Sequence, residues 1–94
     1  MQTKFILHGG YASKLNAEND SFFREILSDA PENPQILLVN FAKDEREYEQ
    51  TSQKDKTQFN RNNIDNRNLS FNTANQDSFE KQIVEADIVY LHGG

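Results

Sequence analysis

Phe5-Ile6-Leu7-His8-Gly9-Gly10 stands near one end of the 94-residue sequence, and Val89-Tyr90-Leu91-His92-Gly93-Gly94 stands at the other. Each is an unbroken apolar run followed by His-Gly-Gly. Apolar runs without polar alternation read as strands buried on both faces, the pattern of a parallel sheet. Two glycines after such a strand allow a sharp turn and a close backbone approach to a ligand, because neither has a Cβ. All strands of a parallel sheet deliver their following loops to one carboxyl edge, where ligands bind at the point of strand-order reversal. Both His-Gly-Gly turns are therefore expected to face one crevice.

Working outward, Lys4–Leu7 is the first predicted strand. A helix follows, capped at Asn19 or Asp20, with Phe22, Phe23, Ile26, Leu27 and Ala30 on one apolar stripe. Pro31 and Pro34 end it. Gln35–Val39 is the second strand. The next helix is expected to be capped by Asp44 and to run to about Asn60. Its main apolar residues are Tyr48 and Phe59, with Thr51, Ser52 and Asp55 between them, which predicts a helix lying on the surface, with a helix whose exposed face meets a partner as the alternative. The asparagine-rich stretch 60–68 favours turns and left-handed backbone. Leu69-Ser70-Phe71 gives a weak third strand, expected at an edge. Asp77-Ser78-Phe79-Glu80 resembles a capping box and opens a third helix with Phe79, Ile83 and Ala86 on one face. Asp87 is expected to end that helix, and Ile88–Leu91 is the fourth strand, suited to an interior position.

The order β-α-β-α-β-α-β specifies an α/β fold: a parallel sheet with helices on both faces, of the flavodoxin-like kind. No linker divides the chain. The two His-Gly-Gly segments are not a repeat, since the residues between them do not match each other. A doubly wound domain usually needs more chain than this. The expectation is the first part of a larger domain, interrupted after the fourth strand, with a short protein that completes its sheet as a homodimer as the alternative.

Composition narrows the function. The net charge of −5 argues against a nucleic-acid backbone as partner. There is no cysteine, hence no disulfide and no thiolate chemistry. No signal-peptide core and no membrane-length apolar run is present, so a cytoplasmic address is expected. The histidines, His8 and His92, have no ligand spacing that would mark a metal site with Asp20 or Asp44. They read as acid–base groups or as groups that hold their own turns. The turns at Gly9-Gly10 and Gly93-Gly94 present backbone N–H groups that could bind phosphate, stabilise an oxyanion, or serve as plain βα turns. No phosphate-binding glycine motif is present. Ser13, Ser21 and Ser28 lie outside any G-x-S-x-G elbow, so no nucleophile is nominated. No cofactor is implied.

Four segments taken together carry a resemblance. Phe5-Ile6-Leu7-His8-Gly9-Gly10, Asn19-Asp20-Ser21-Phe22-Phe23, Ile36-Leu37-Leu38-Val39-Asn40-Phe41-Ala42 and Ala86-Asp87-Ile88-Val89-Tyr90-Leu91-His92-Gly93-Gly94 resemble the N-terminal half of peptidase E-like serine peptidases. That family includes aspartyl dipeptidases and, more distantly, cyanophycinases, on the class I glutamine amidotransferase-like fold. The resemblance implies acyl transfer by a serine beyond Gly94, acting on small peptides, some with N-terminal Asp. It implies an oxyanion role for Gly93 and Gly94, with His92 beside them and His8, Gly9 and Gly10 lining the adjacent strand end. The nucleophile and its base would lie beyond Gly94, so these residues alone are expected to be inactive. Two other readings fit the same motif. One is an α/β-hydrolase, whose lipase branch also uses a His-Gly-Gly oxyanion turn. The other is an amidotransferase-like binding module without catalysis.

Overall fold

The computed structural model describes residues 4–8, 17–41 and 45–92. Four parallel strands form one sheet: β1 (Lys4–His8), β2 (Gln35–Val39), β3 (Ser70–Thr73) and β4 (Ile88–His92), in the order β1-β4-β2-β3. Three α-helices connect them: α1 (Ala17–Ser28), α2 (Tyr48–Arg61) and α3 (Phe79–Glu85), with a 3-10 turn at Glu45–Glu47 leading into α2. The predicted α/β alternation is met element for element. β4 is interior, as its apolar sequence requires, paired on one side with β1 and on the other with β2. Polar β3 takes an edge, where its exposed side chains meet water. The 3-2-4 order of β3, β2 and β4 reproduces the start of a flavodoxin-like sheet, and β1 extends it beyond β4.

The placement of the helices follows from this order. β1 to β2 and β2 to β3 step across the sheet in one direction; β3 to β4 steps back. A constant crossover hand then puts α1 and α2 on one face and α3 on the other. The two cores show this division. Phe23, Ile26 and Leu27 of α1 and Phe59 of α2 pack on Ile36, Leu38, Ile88 and Tyr90. On the opposite face, Phe79 and Ile83 of α3 cover Leu37, Val39 and Val89. Neighbours in β2 thus point to alternate faces, as the pleat dictates. An aromatic cluster centres the first core. The Phe23 ring lies 4.9 Å from Phe59 and 5.5 Å from Tyr90, and Phe59 lies 5.4 Å edge-on to Tyr90. The Cα radius of gyration is 12.4 Å, which matches the roughly 12 Å of a compact domain this long.

Local chemistry differs from the expected caps. α1 begins at Ala17, so Asn19 and Asp20 lie inside its first turn and neither caps it. Asp20 instead accepts two hydrogen bonds from Arg61 at the end of α2, at 3.0 and 3.1 Å. Asp44, expected to cap α2, lies outside the described residues. α2 starts instead from the 3-10 turn, and its N-cap position, Glu47, makes no side-chain capping bond. The Asp77-to-Glu80 box does not form. Ser78 is the N-cap of α3 without a side-chain bond, and the Asp77 N–H donates to Asn75 Oδ1 at 2.8 Å. α3 ends at Glu85, before Asp87. Asp87 stitches β4 to β2: its N–H donates to the Gln35 carbonyl, and its carboxylate accepts from the Gln35 N–H, both at 2.9 Å.

The asparagine-rich stretch is built rather than loose. Asn66 adopts the left-handed backbone expected there, with φ of 53°. Asn63 brackets Arg67, donating to its carbonyl at 2.7 Å and accepting from its N–H at 3.0 Å. Thus held, the Arg67 guanidinium donates to the carbonyls of Leu27 and Ala30 at the end of α1, where the Leu27 carbonyl also accepts the Ala30 N–H.

Candidate functional site

The carboxyl edge of the sheet is where the strand ends converge. β1 and β4 are parallel neighbours, and His8 pairs in register with His92. The starting points of the two His-Gly-Gly turns are therefore one strand spacing apart, about 4.8 Å. Shared apolar sequence explains this: both strands are paired and end at the same level. Gly9, Gly10, Gly93 and Gly94 lie outside the described residues, as do the side-chain placements of His8 and His92. Between β2 and β4 the chain reverses its order of travel, since β2 leads outward to β3 while β4 returns to its other flank. That reversal is the position at which open α/β sheets form their ligand crevice.

Beneath this edge lies a polar layer that the sequence reading missed. Thr51, Ser52, Asp55, Gln58, Phe59 and Asn62 are all buried. Their spacing is that of one helical stripe, so α2 turns a mostly polar face inward. The expectation of a surface helix is corrected on this point: its polarity concealed a buried face. Asn40, at the end of β2 and 1% exposed, donates from Nδ2 to Ser52 Oγ at 2.9 Å. The Ser52 hydroxyl lies 3.3 Å from that of Thr73 at the end of β3. This chain of three side chains ties α2 to two adjacent strand ends. Asn40 Oδ1 is buried with no hydrogen-bond partner among the described residues, an arrangement that costs about 1–3 kcal/mol unless a donor fills it. Deeper in the layer, the Tyr90 phenol is pushed above its ordinary range, first by burial and then by the charge of Asp55.

A cleft of about 520 Å³ opens at the same edge beside β2 and β3, within the usual size of small-molecule sites. Phe41 and Tyr48 form its aromatic wall, and residues 73–77 form the other side. The Phe41 ring is braced edge-on by Phe79 at 5.2 Å. Gln82 of α3 holds the opposite wall by accepting from the Asn75 N–H at 2.9 Å and donating to the Thr73 carbonyl at 3.1 Å. The Ala74 N–H adds a bond to the Leu38 carbonyl at 2.8 Å. Of the cleft residues, Tyr48 was visible in the sequence only as an apolar helix position. The loop after β3 was read only for a capping box at Asp77, because its role in the cleft depends on bonds to a helix further along the chain.

Among the described residues no group of histidines and carboxylates could hold a metal ion, and Asp20 is occupied by Arg61. No helix among them is long and apolar enough to cross a membrane. The chain matches no protein-family model, no curated protein and no solved structure.

Proposed function

We propose that this domain supplies the oxyanion-turn edge of a serine-type peptidase of the peptidase E-like kind, acting on short peptides by acyl transfer. The observation that supports the reading is the in-register pairing of His8 with His92, the residues that precede the two Gly-Gly pairs in sequence. Backbone N–H groups at such a turn can stabilise the developing oxyanion of a tetrahedral intermediate. Nothing among these residues forms a nucleophile elbow, so the serine and its base are assigned to sequence following Gly94. Both sides of β4 are taken by β1 and β2. A further parallel strand bearing the serine would join at a sheet edge, β1 or β3, and we place it beside β1, the edge next to β4. The turn beside it is then His8-Gly9-Gly10, with His92-Gly93-Gly94 one strand further in. The oxyanion role carried by the resemblance thus extends from Gly93 and Gly94 to Gly9 and Gly10.

The test compares the 94-residue chain with the product of the complete reading frame on Asp-X dipeptides and neutral dipeptides. The expected result is hydrolysis by the longer product and none by the 94 residues alone. Gly10→Val in the active product should lower kcat by on the order of 100-fold, the cost of a blocked oxyanion turn. Hydrolysis by the 94 residues alone, or none by either protein, overturns the proposal.

A further inference from the structure

The cleft beside β2 and β3 is a second feature of the carboxyl edge, and it needs no acyl-transfer chemistry. We infer that it binds small organic cations: an ammonium group carried on a flat apolar or aromatic body.

The wall chemistry sets this class. Phe41 and Tyr48 present aromatic surface to the cleft, and the carboxylate of Asp77 is the one charged group lining it among the described residues. That carboxylate makes no ion pair and accepts no hydrogen bond among the described residues; only the backbone N–H of Asp77 is engaged, by Asn75 Oδ1. A negative group that lines the same cleft as two aromatic side chains can attract a cation twice, by ion pairing and through the ring quadrupoles. The amide side chains of Asn75 and Gln76 line the same wall and offer carbonyl oxygens to an ammonium donor.

Among the described residues, the cleft lining carries nothing that would draw an anion. No lysine or arginine lines the cleft among the described residues. The start of α2 beside Tyr48 would by itself favour an anion, but Glu47 and Glu49 flank it and offset the helix dipole. The site is also held in shape before any ligand arrives. Gln82 fixes residues 73–75 through both ends of its amide, and Phe79 braces Phe41. A preformed wall loses little ordering entropy on binding.

The test uses the 94-residue chain and three probes of one shape: benzylamine, benzyl alcohol and benzoate. Amide NMR shifts are followed at neutral pH. Benzylamine should shift the amides of residues 73–77 saturably and bind about tenfold tighter than benzyl alcohol or benzoate. Asp77→Asn should remove that preference. Tyr48→Ala should weaken benzylamine severalfold while the shifts of the distant β1–β4 pair stay unchanged. Equal binding of the alcohol or benzoate overturns the inference. So does a preference that survives Asp77→Asn, or the absence of any saturable shift at residues 73–77. Because the readout is binding, these outcomes are independent of whether the peptidase reading stands.

Discussion

Tyr90 offers a pH experiment whose sign and size follow from its surroundings. Its side chain is fully buried in the aromatic cluster, and burial together with the charge of Asp55 pushes its phenol above the ordinary tyrosine range. Below about pH 10 the phenol is protonated in both folded and unfolded chains, so it contributes no pH slope. Above that value the unfolded chain ionises while the folded chain stays neutral. The folded state then binds more protons, and stability falls by about 1.4 kcal/mol per pH unit until the folded value is reached. At pH 12 the loss from this one residue approaches 3 kcal/mol, a large part of the roughly 5–14 kcal/mol expected for a domain of this length. Other groups titrate in the same range, so the measurement is a difference. Urea unfolding is followed for the native chain and for Tyr90→Phe at intervals from pH 8 to 12. The stability difference should be constant to about pH 10 and then swing in favour of the phenylalanine variant. Tyrosinate absorbance gives a second readout: part of it should appear only as the native chain unfolds. A difference that stays flat to pH 12 would refute the reasoning, since the phenol would then ionise as easily folded as unfolded.

Two further outcomes are expected. The two hydrogen bonds from Arg61 hold the Asp20 carboxyl below its ordinary value. Its contribution is therefore present above the unfolded pKa and lost as pH falls through the folded one, in the acid range below about pH 4; carboxyl NMR titration should show a low Asp20 value that returns to normal in Arg61→Gln. Gln82→Ala removes both bonds that fix the loop after β3, so stability should drop by about 1–2 kcal/mol and hydrogen exchange at the Asn75 amide should accelerate, whereas unchanged protection there would show that the loop holds itself.

The strands were legible because their burial leaves a direct trace. Ile36-Leu37-Leu38-Val39 and Ile88-Val89-Tyr90-Leu91 must be apolar at every position to lie between two helix layers. Phe23, Ile26 and Leu27 announced α1 in the same way. The inward face of α2 left no such trace. Ser52 and Asp55 are buried because Asn40, Thr73 and Tyr90 come to meet them from other strands, and a hydropathy pattern carries no record of a partner distant in sequence. The helical spacing of positions 51, 52, 55, 58, 59 and 62 was the available clue, though it is visible only if polar residues are allowed into a core stripe. The helix caps failed for a related reason. Asp20 has the right chemistry to cap a helix, but Arg61 claims its carboxylate first, and at α3 it is Ser78 rather than Asp77 that stands at the N-cap position. At the sheet edge, the matching apolar runs of β1 and β4 hinted at strands that end together at His8 and His92, while the cleft left no trace, because its walls come from three separate segments.

The position of β1 also sets an order of events during folding. Lys4 pairs with Ile88, and among the described strands β4 is its one partner. The hydrogen bonds between β1 and β4 can therefore close only after β2, β3 and the helices between them have been made. β2 and β3, neighbours joined by α2, can associate long before. β4 then enters between β1 and β2, a step dominated by contacts distant along the chain and correspondingly slow. Until then the exposed Phe5 strand has an open edge, and it is the segment most in need of protection in the nascent protein.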